Sequence, residues 1–440
     1  MTEPVLMDVY VKDRLVGTLG DATGGAYVFS YLPGVPNDHF VSLTMPVRLE
    51  SYVWQRGLPP FFLMNLPEGY QKDLLRIQLG PHADITDIGL LALTGHRTIG
   101  RVRIFPHGQS PEAEYSDLNM AELLASPDSR NHLLRYLEKG VAEGVSGVMP
   151  KALRLQSRAT AIANEYILKT SPADLPGLAI NEYLCLEVAR RAQLDVPEAT
   201  LSKDGDVLAV RRFDRRDDGS AIGVEDFCAL KGLDPANKYR GTLEDLAKLL
   251  AAYVPNQQLS KNAKQLFKLL LINCALRNAD AHLKNFALTY TTLTDVALAP
   301  VYDVVTVSAY PQYEDQPPAL TLAGRKVWEI GKLLHLYGAT RLSLPKNEMA
   351  VCLDDVSNAI EKLIPEVTKY VNAYPTFRET AKRMLNEWEK GLLDIQPNVK
   401  ARPRMVNELR ISAGLSDATT VRKKSNVYKN PDGGFSHKVR

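Results

Sequence analysis

The stretch LFKLLLINCALRNADAHLKNFAL, residues 266–288, restricts this chain more than any other. Its first half is a leucine-rich helical run that belongs inside a core, so helices must surround it. Its second half leaves that core as a polar loop carrying Asp280 and Asn285, with His282 and Lys284 between them. An acid and an amide at that separation fit metal binding, phosphoryl transfer or a plain solvated turn. A length of 440 residues allows two or more lobes to be built around such a loop.

Composition removes several classes. Charged residues are 24% and the hydrophobic set 45%, an ordinary globular balance. A net charge of +2 gives no global pull toward nucleic acid or an anionic membrane. The start, MTEPVLMDVYVKD, lacks the basic-then-apolar pattern of a targeting segment, and no apolar run is long enough to span a bilayer. Cys185, Cys228, Cys274 and Cys352 are scattered without paired spacing, as expected of reduced thiols in a cytoplasmic protein and not of a disulfide frame or zinc site.

The first hundred residues read as β-rich. DVYVKDRLVGTL predicts strand, turn, strand; AYVFSYLPG and GRVRIFP predict two more strands. LPPFFLMNLPEGYQKDLLR predicts an apolar segment, a turn and a helix start, and the polar HGQSPEAEYSDL, 107–118, suits a boundary loop. AELLASPDSRNHLLRYLEKG reads as helical. Residues 144–216 then read as loop, strand, helix and a hairpin across Asp204-Gly205. From about 225 onward helices dominate. The basic end, VRKKSNVYKNPDGGFSHKVR, reads as a loose tail. No repeat of 20–50 residues is visible.

Four pieces bear on chemistry. GVSGVMPK sets Ser146 between glycines, which lets backbone N–H groups approach an anion, although a surface turn explains it too. Lys169 ends the strand EYILK; it either snorkels to water or grips a phosphate, with Glu182 of the next helix to orient it. Asp280 and Asn285 repeat the acid-to-amide spacing of the protein-kinase catalytic loop, in which a carboxylate takes the attacking hydroxyl's proton and an amide oxygen holds Mg²⁺. Between them, His282 orders the loop or meets a ligand, and Lys284 meets a phosphate or water. Asp303, in PVYDVVTVS, either caps a turn or supplies a second metal ligand.

Taken together, VYVKDRLVGTL, FFLMNLPEG, VSGVMPK, EYILK, NEYLCLEVAR, RRFDRR, NADAHLKNF and VYDVV resemble the HipA-type serine/threonine kinases, the toxin halves of bacterial toxin–antitoxin pairs. NADAHLKN and SGVMPK are the most specific segments, and the likeness spans most of the chain. It implies an α+β, bilobal protein-kinase-like fold. Residues 1–110 would form a β-rich N-terminal subdomain, 111–225 an N-lobe with the phosphate loop, 226–415 a helical C-lobe with the catalytic and metal sites, and 416–440 a basic tail.

The resemblance also implies roles. Asp280 is the catalytic acid/base, and Asn285 and Asp303 hold Mg²⁺. Lys169 contacts the ATP phosphates, with His282 and Lys284 also at the nucleotide. Val145, Ser146, Gly147 and Val148 cover the phosphates. Ser146 is the autophosphorylation site whose modification expels the loop and silences the enzyme. Arg211, Arg212 and Phe213 would form the lobe connection, where their backbone groups meet adenine. Two positions depart from the family pattern: Arg211 stands where a Glu is usual, and Ala229 where a Gln is usual. The implied function is a growth-inhibiting ATP-dependent protein kinase acting on a Ser or Thr; well-known members target an aminoacyl-tRNA synthetase. The implied partner is a HipB-type helix-turn-helix antitoxin, with DNA reached mainly through it and no membrane. Two other classes are an inactive kinase-shaped binding module and a small-molecule kinase. The retained Lys169, Asp280, Asn285 and Asp303 argue against the first, and the front β-rich segment against the second.

Overall fold

The computed structural model describes residues 5–22, 25–67, 86–109, 118–142, 160–163 and 165–397. The loop bearing Val145, Ser146, Gly147 and Val148 lies outside the described residues, as does the basic tail.

The front of the chain is an antiparallel sheet. Strands β1 (Leu6–Val11) and β2 (Arg14–Ala22) form the predicted hairpin, turning at Lys12, whose φ is 57°. Next come β3 (Ala26–Tyr31), β4 (Tyr52–Trp54), helices α1 (Pro60–Leu63) and α2 (Asp87–Thr94), and β5 (Val102–Pro106). The strand order is β4-β3-β2-β1-β5. Met7, Val9 and Val11 alternate along β1 and point into a core shared with Phe29, Phe62 and Ile104.

Helices α3 (Met120–Ala125) and α4 (Ser129–Ala142) follow, and the single helical run expected there is broken at Pro127. Proline lacks the N–H that a continuing helix needs and pushes its predecessor toward extended backbone; Ser126 has ψ 134°. A second antiparallel sheet has the order β6-β7-β9-β8, from β6 (Thr160–Ala163), β7 (Tyr166–Thr170), β8 (Ala199–Leu201) and β9 (Val207–Arg211). Between β7 and β8 runs α5 (Leu178–Arg191), whose buried face joins the large rear core.

The rear is built on β10 (Gly223–Asp226), α6 (Phe227–Leu230), α7 (Leu243–Tyr253) and α8 (Asn256–Ala275). Strands β11 (Ala287–Thr292) and β12 (Asp295–Leu298) follow, then α9 (Gly331–Arg341), α10 (Lys346–Ala373) and α11 (Arg378–Asp394). Thr242 and Asp245 close a capping box that starts α7. Helix α8 is the axis of this lobe, packed by α10, α11 and α7. The helical reading beyond 225 overlooked the antiparallel sheet β10-β11-β12. The short alternating run ALTYTT, rich in β-branched and aromatic residues, is what forms it. The whole is α+β with two lobes behind the front sheet. Among the described residues no helix is long and apolar enough to cross a membrane.

Two polar staples fix the front sheet to the lobes. Asp214 accepts from Arg212, Arg215 and the Gly100 N–H, while Arg212 and Arg215 donate to the carbonyls of Thr98 and Gly100. Burial pushes the Asp214 carboxyl up, but the two guanidiniums outweigh it and hold it below the usual range. In the second staple, buried Glu225 accepts from Ser42 Oγ at 2.7 Å and the Leu43 N–H at 2.9 Å.

Candidate active site

Strand alternation puts Ile167 and Lys169 on one face of β7, and the register sets Ile167 opposite Val210 of β9. That face looks onto α5, where Glu182 is fully buried. Lys169 Nζ donates to Glu182 and, at 2.8 Å, to Asp303 Oδ1. Asp303 has a left-handed φ of 56°, a conformation Asp tolerates better than most residues and one that turns its carboxylate toward the lysine. Residues far apart in the chain thus form a cation held between two carboxylates.

Behind this junction lies a cavity of about 300 Å³. Ile167, Val210, Val224 and Ala287 line it together with Phe213 and Tyr302, whose rings lie 5.6 Å apart. These side chains form an apolar slot beside the two rings, which are tilted by 34°, while Glu182, Asp214 and Asp226 line it elsewhere. The front sheet's domain contributes Met64, Asn65 and Ile99. Lys284 and Arg211 also line it. Arg211 is otherwise engaged at the surface with Asp217 at 2.9 Å. Arg212 does not reach the cavity with its side chain, which is buried in the Asp214 staple.

On the other side of Asp303 a second cavity, of about 290 Å³, opens at Asp280. The loop there is braced from below. The Asn278 N–H donates to the Asn273 carbonyl at 2.9 Å, Asn278 Nδ2 reaches Asn273 Oδ1 at 2.8 Å, and the Asp280 N–H returns to Asn278 Oδ1 at 3.2 Å. Asn285 Nδ2 donates to the Asp280 carbonyl at 2.9 Å and lies 3.5 Å from the Asp303 carbonyl, tying the two acid-bearing loops together. With the nitrogen used in this way, the amide oxygen is the atom that could meet a metal. One carboxylate and one amide oxygen fit Mg²⁺, which commonly takes one or two protein oxygens and completes its shell with phosphates and water. Asp280 itself accepts from Tyr239 Oη at 2.6 Å, and the Tyr239 ring meets the His282 ring edge-on at 5.1 Å. Burial pushes the His282 pKa down despite the nearby Asp280 carboxylate, so its imidazole is neutral near pH 7.

Lys169, Glu182, Asp280, Asn285 and Asp303 therefore lie around one junction of two cavities, with His282 packed beside Asp280. Sequence reasoning missed Ile167, Val210, Tyr302, Met64, Asn65 and Tyr239. Ile167 was within reach by counting back two positions from Lys169 on its strand. Met64, Asn65 and Tyr302 lie in FFLMNLPEG and VYDVV, segments that carried the resemblance without a role for these residues, and Val210 and Tyr239 have no local signal.

The HipA-like C-terminal domain family matches residues 144–364, half of the chain, and the HipA N-terminal domain family matches residues 7–105. The chain belongs to the HipA family. Among curated relatives, the Sinorhizobium fredii protein named "Putative kinase Y4dM" is 25% identical over 416 residues, 88% of this chain and 92% of its own. A second protein of that organism, "Putative kinase Y4mE", is 28% identical over 340 residues, 70% of this chain and 78% of its own. Among solved structures, HipA in the Shewanella oneidensis toxin–antitoxin complex with HipB and operator DNA matches with a TM-score of 0.65 and 19% identity, covering 92% of this chain and 99% of that one. The HipA fold thus extends over both lobes and the front sheet.

Proposed function

We propose that this HipA-family chain is a protein kinase that transfers the γ-phosphoryl group of Mg²⁺-bound ATP to a serine or threonine of another protein. The observation that carries this reading is Lys169 between Glu182 and Asp303, at the meeting point of an apolar slot and the Asp280 cavity. Adenine would lie between Phe213, Tyr302 and the β7–β9 wall. Lys169 would leave Asp303 for the phosphates. Bound at Asn285 and Asp303, Mg²⁺ would neutralise charge on the phosphates. Asp280 would accept the hydroxyl proton as the hydroxyl oxygen bonds to the γ-phosphorus. The bond from that phosphorus to the bridging oxygen breaks, and ADP leaves with the electron pair.

Incubating the purified chain with Mg·ATP and a cell extract, with ADP formation and protein-bound phosphate as readouts, tests this. Asp280→Asn should lower turnover by a factor on the order of 10² to 10⁴, the scale of general acid–base catalysis, while ATP still binds. Asp303→Ala should abolish turnover with a normal thermal melt. Wild-type turnover in either variant would sink the assignment.

By likeness to the Shewanella assembly, the proposed partner is a HipB-type helix-turn-helix protein, with DNA reached through it. Co-purification with the product of a neighbouring helix-turn-helix gene tests that pairing. Ser146 is proposed as the self-modification site. If its loop covers the ATP phosphates, as the resemblance implies, a phosphate there would set about −1.5 to −2 like charges against them. Mass spectrometry should find it in the wild type and not in Asp280→Asn.

A further inference from the structure

The cavity at Asp280 has a wall that phosphoryl transfer alone does not require. Leu175, Leu178, Val305, Val307, Tyr310 and Tyr313 line it on one side. They form an apolar cluster separate from the main cores, in which Leu175, Val307 and Tyr313 remain partly open to solvent. The wall is held from behind. Thr306 accepts at Oγ1 from Trp388 Nε1 at 2.7 Å, and its backbone makes a paired contact with the Asn181 amide at 3.0 and 3.1 Å. The pocket is therefore preformed on two buried helices, which favours selection by shape. Its volume of about 290 Å³ exceeds what a serine hydroxymethyl group fills.

The charge on the lining is one-sided. Asp280 and Asp303 are both present, and among the described lining residues there is no lysine or arginine. Lys169 offsets Asp303, but Asp280 is met by the neutral Tyr239, so an acidic group entering beside the acceptor hydroxyl would meet the Asp280 carboxylate and an apolar wall, whereas an apolar one would bury against that wall.

We propose that this cavity selects the acceptor by its neighbour: it takes a polypeptide serine or threonine flanked by a large aliphatic or aromatic side chain, and rejects acceptors flanked by Asp or Glu. The inference rests on the phosphoryl-transfer reading and names its substrate class. The flanking side chain packs on Val307 and Tyr313 while the hydroxyl takes the place at Asp280.

A degenerate peptide library with a central Ser or Thr, incubated with the full chain and Mg·ATP, tests it when phosphopeptides and ADP are measured together. Phosphopeptides should be enriched in Leu, Phe, Tyr or Trp beside the acceptor by about tenfold, the scale of one apolar group in a pocket, and depleted in Asp and Glu. Tyr313→Ala should raise KM for a leucine-flanked peptide more than for an alanine-flanked one. Val307→Lys should remove the depletion of acids. Phosphopeptides with acidic flanks, or with no flank preference, would overturn the proposal. So would ADP formation with no peptide labelled, in which the phosphoryl group passes to water or to the chain itself and phosphoryl transfer is left standing. Absence of any ADP would remove the phosphoryl-transfer reading itself, and this proposal with it.

Discussion

Lys169 is shared by two acids of different burial. Glu182 has no exposed side-chain surface, whereas Asp303 is about one-third exposed and lines both cavities. In the proposed reaction the buried partner would hold the lysine in place while the open one gives it up to phosphate. Glu182→Gln keeps the shape and removes the charge that orients Nζ. KM for ATP should rise about tenfold, equivalent to about 1.4 kcal/mol, read from steady-state ADP formation. An unchanged KM would mean that Asp303 alone positions the lysine. The lysine and both acids were legible as residue types in a plausible chain order. Tyr239 on Asp280 was not, because a contact across that separation obeys no helical or strand period.

At the scale of elements, the Asp280 loop depends on how α8 ends. Arg277 leaves the helix with a φ of 53° and pairs with Asp394 at the end of α11. Just before it, α11 approaches so closely that a Cβ on Gly391 would sit 2.1 Å from the Ala275 carbonyl oxygen. Only glycine permits that crossing, since a backbone carbonyl inside α8 cannot move aside. Gly391→Ala should destabilise the fold by about 1–3 kcal/mol, the usual range for overpacking, and lower turnover because the shifted α8 terminus carries the Asp280 loop. Denaturant melts with parallel ADP assays check both effects; a melt like the wild type would show that the helices separate freely. The α8 and α11 helices were readable from their apolar spacing. Their separation was not, because an isolated glycine in a helical run does not name the backbone it faces.

Across the whole molecule, Glu225 couples the front sheet to the lobes. Two donors, from Ser42 and Leu43, pull its pKa down, but burial is the larger effect and raises it from 4.5 to about 8. Between those values the folded protein keeps a proton that the unfolded chain releases. The stabilisation is therefore complete below the lower value and is lost as pH rises through the upper one, with a slope of up to about 1.4 kcal/mol per pH unit. The melting temperature should fall as pH is raised through this window, and Glu225→Gln should flatten the fall. An equal slope in both proteins would exclude Glu225 as the cause. The Asp214 staple works beside it and explains the charged character of RRFDRR: Arg212 and Arg215 hold the front sheet to the lobes.

What the sequence determined by itself was local. Alternation in VYVKDRLVGTL specified a hairpin, apolar spacing specified α8 and α10, and the NADAHLKN segment marked a loop with an acid and an amide. Each follows from backbone periodicity or short-range spacing, which neighbouring residues settle among themselves. Tertiary structure decided which side chains meet. It placed Met64, Asn65 and Ile99 of the front domain at the apolar slot, turned Arg212 away from it, and set an apolar wall beside Asp280. Those outcomes depend on how closely packed helices and sheets are stacked. Such packing is fixed by long-range burial and close approach, which no window along the chain contains.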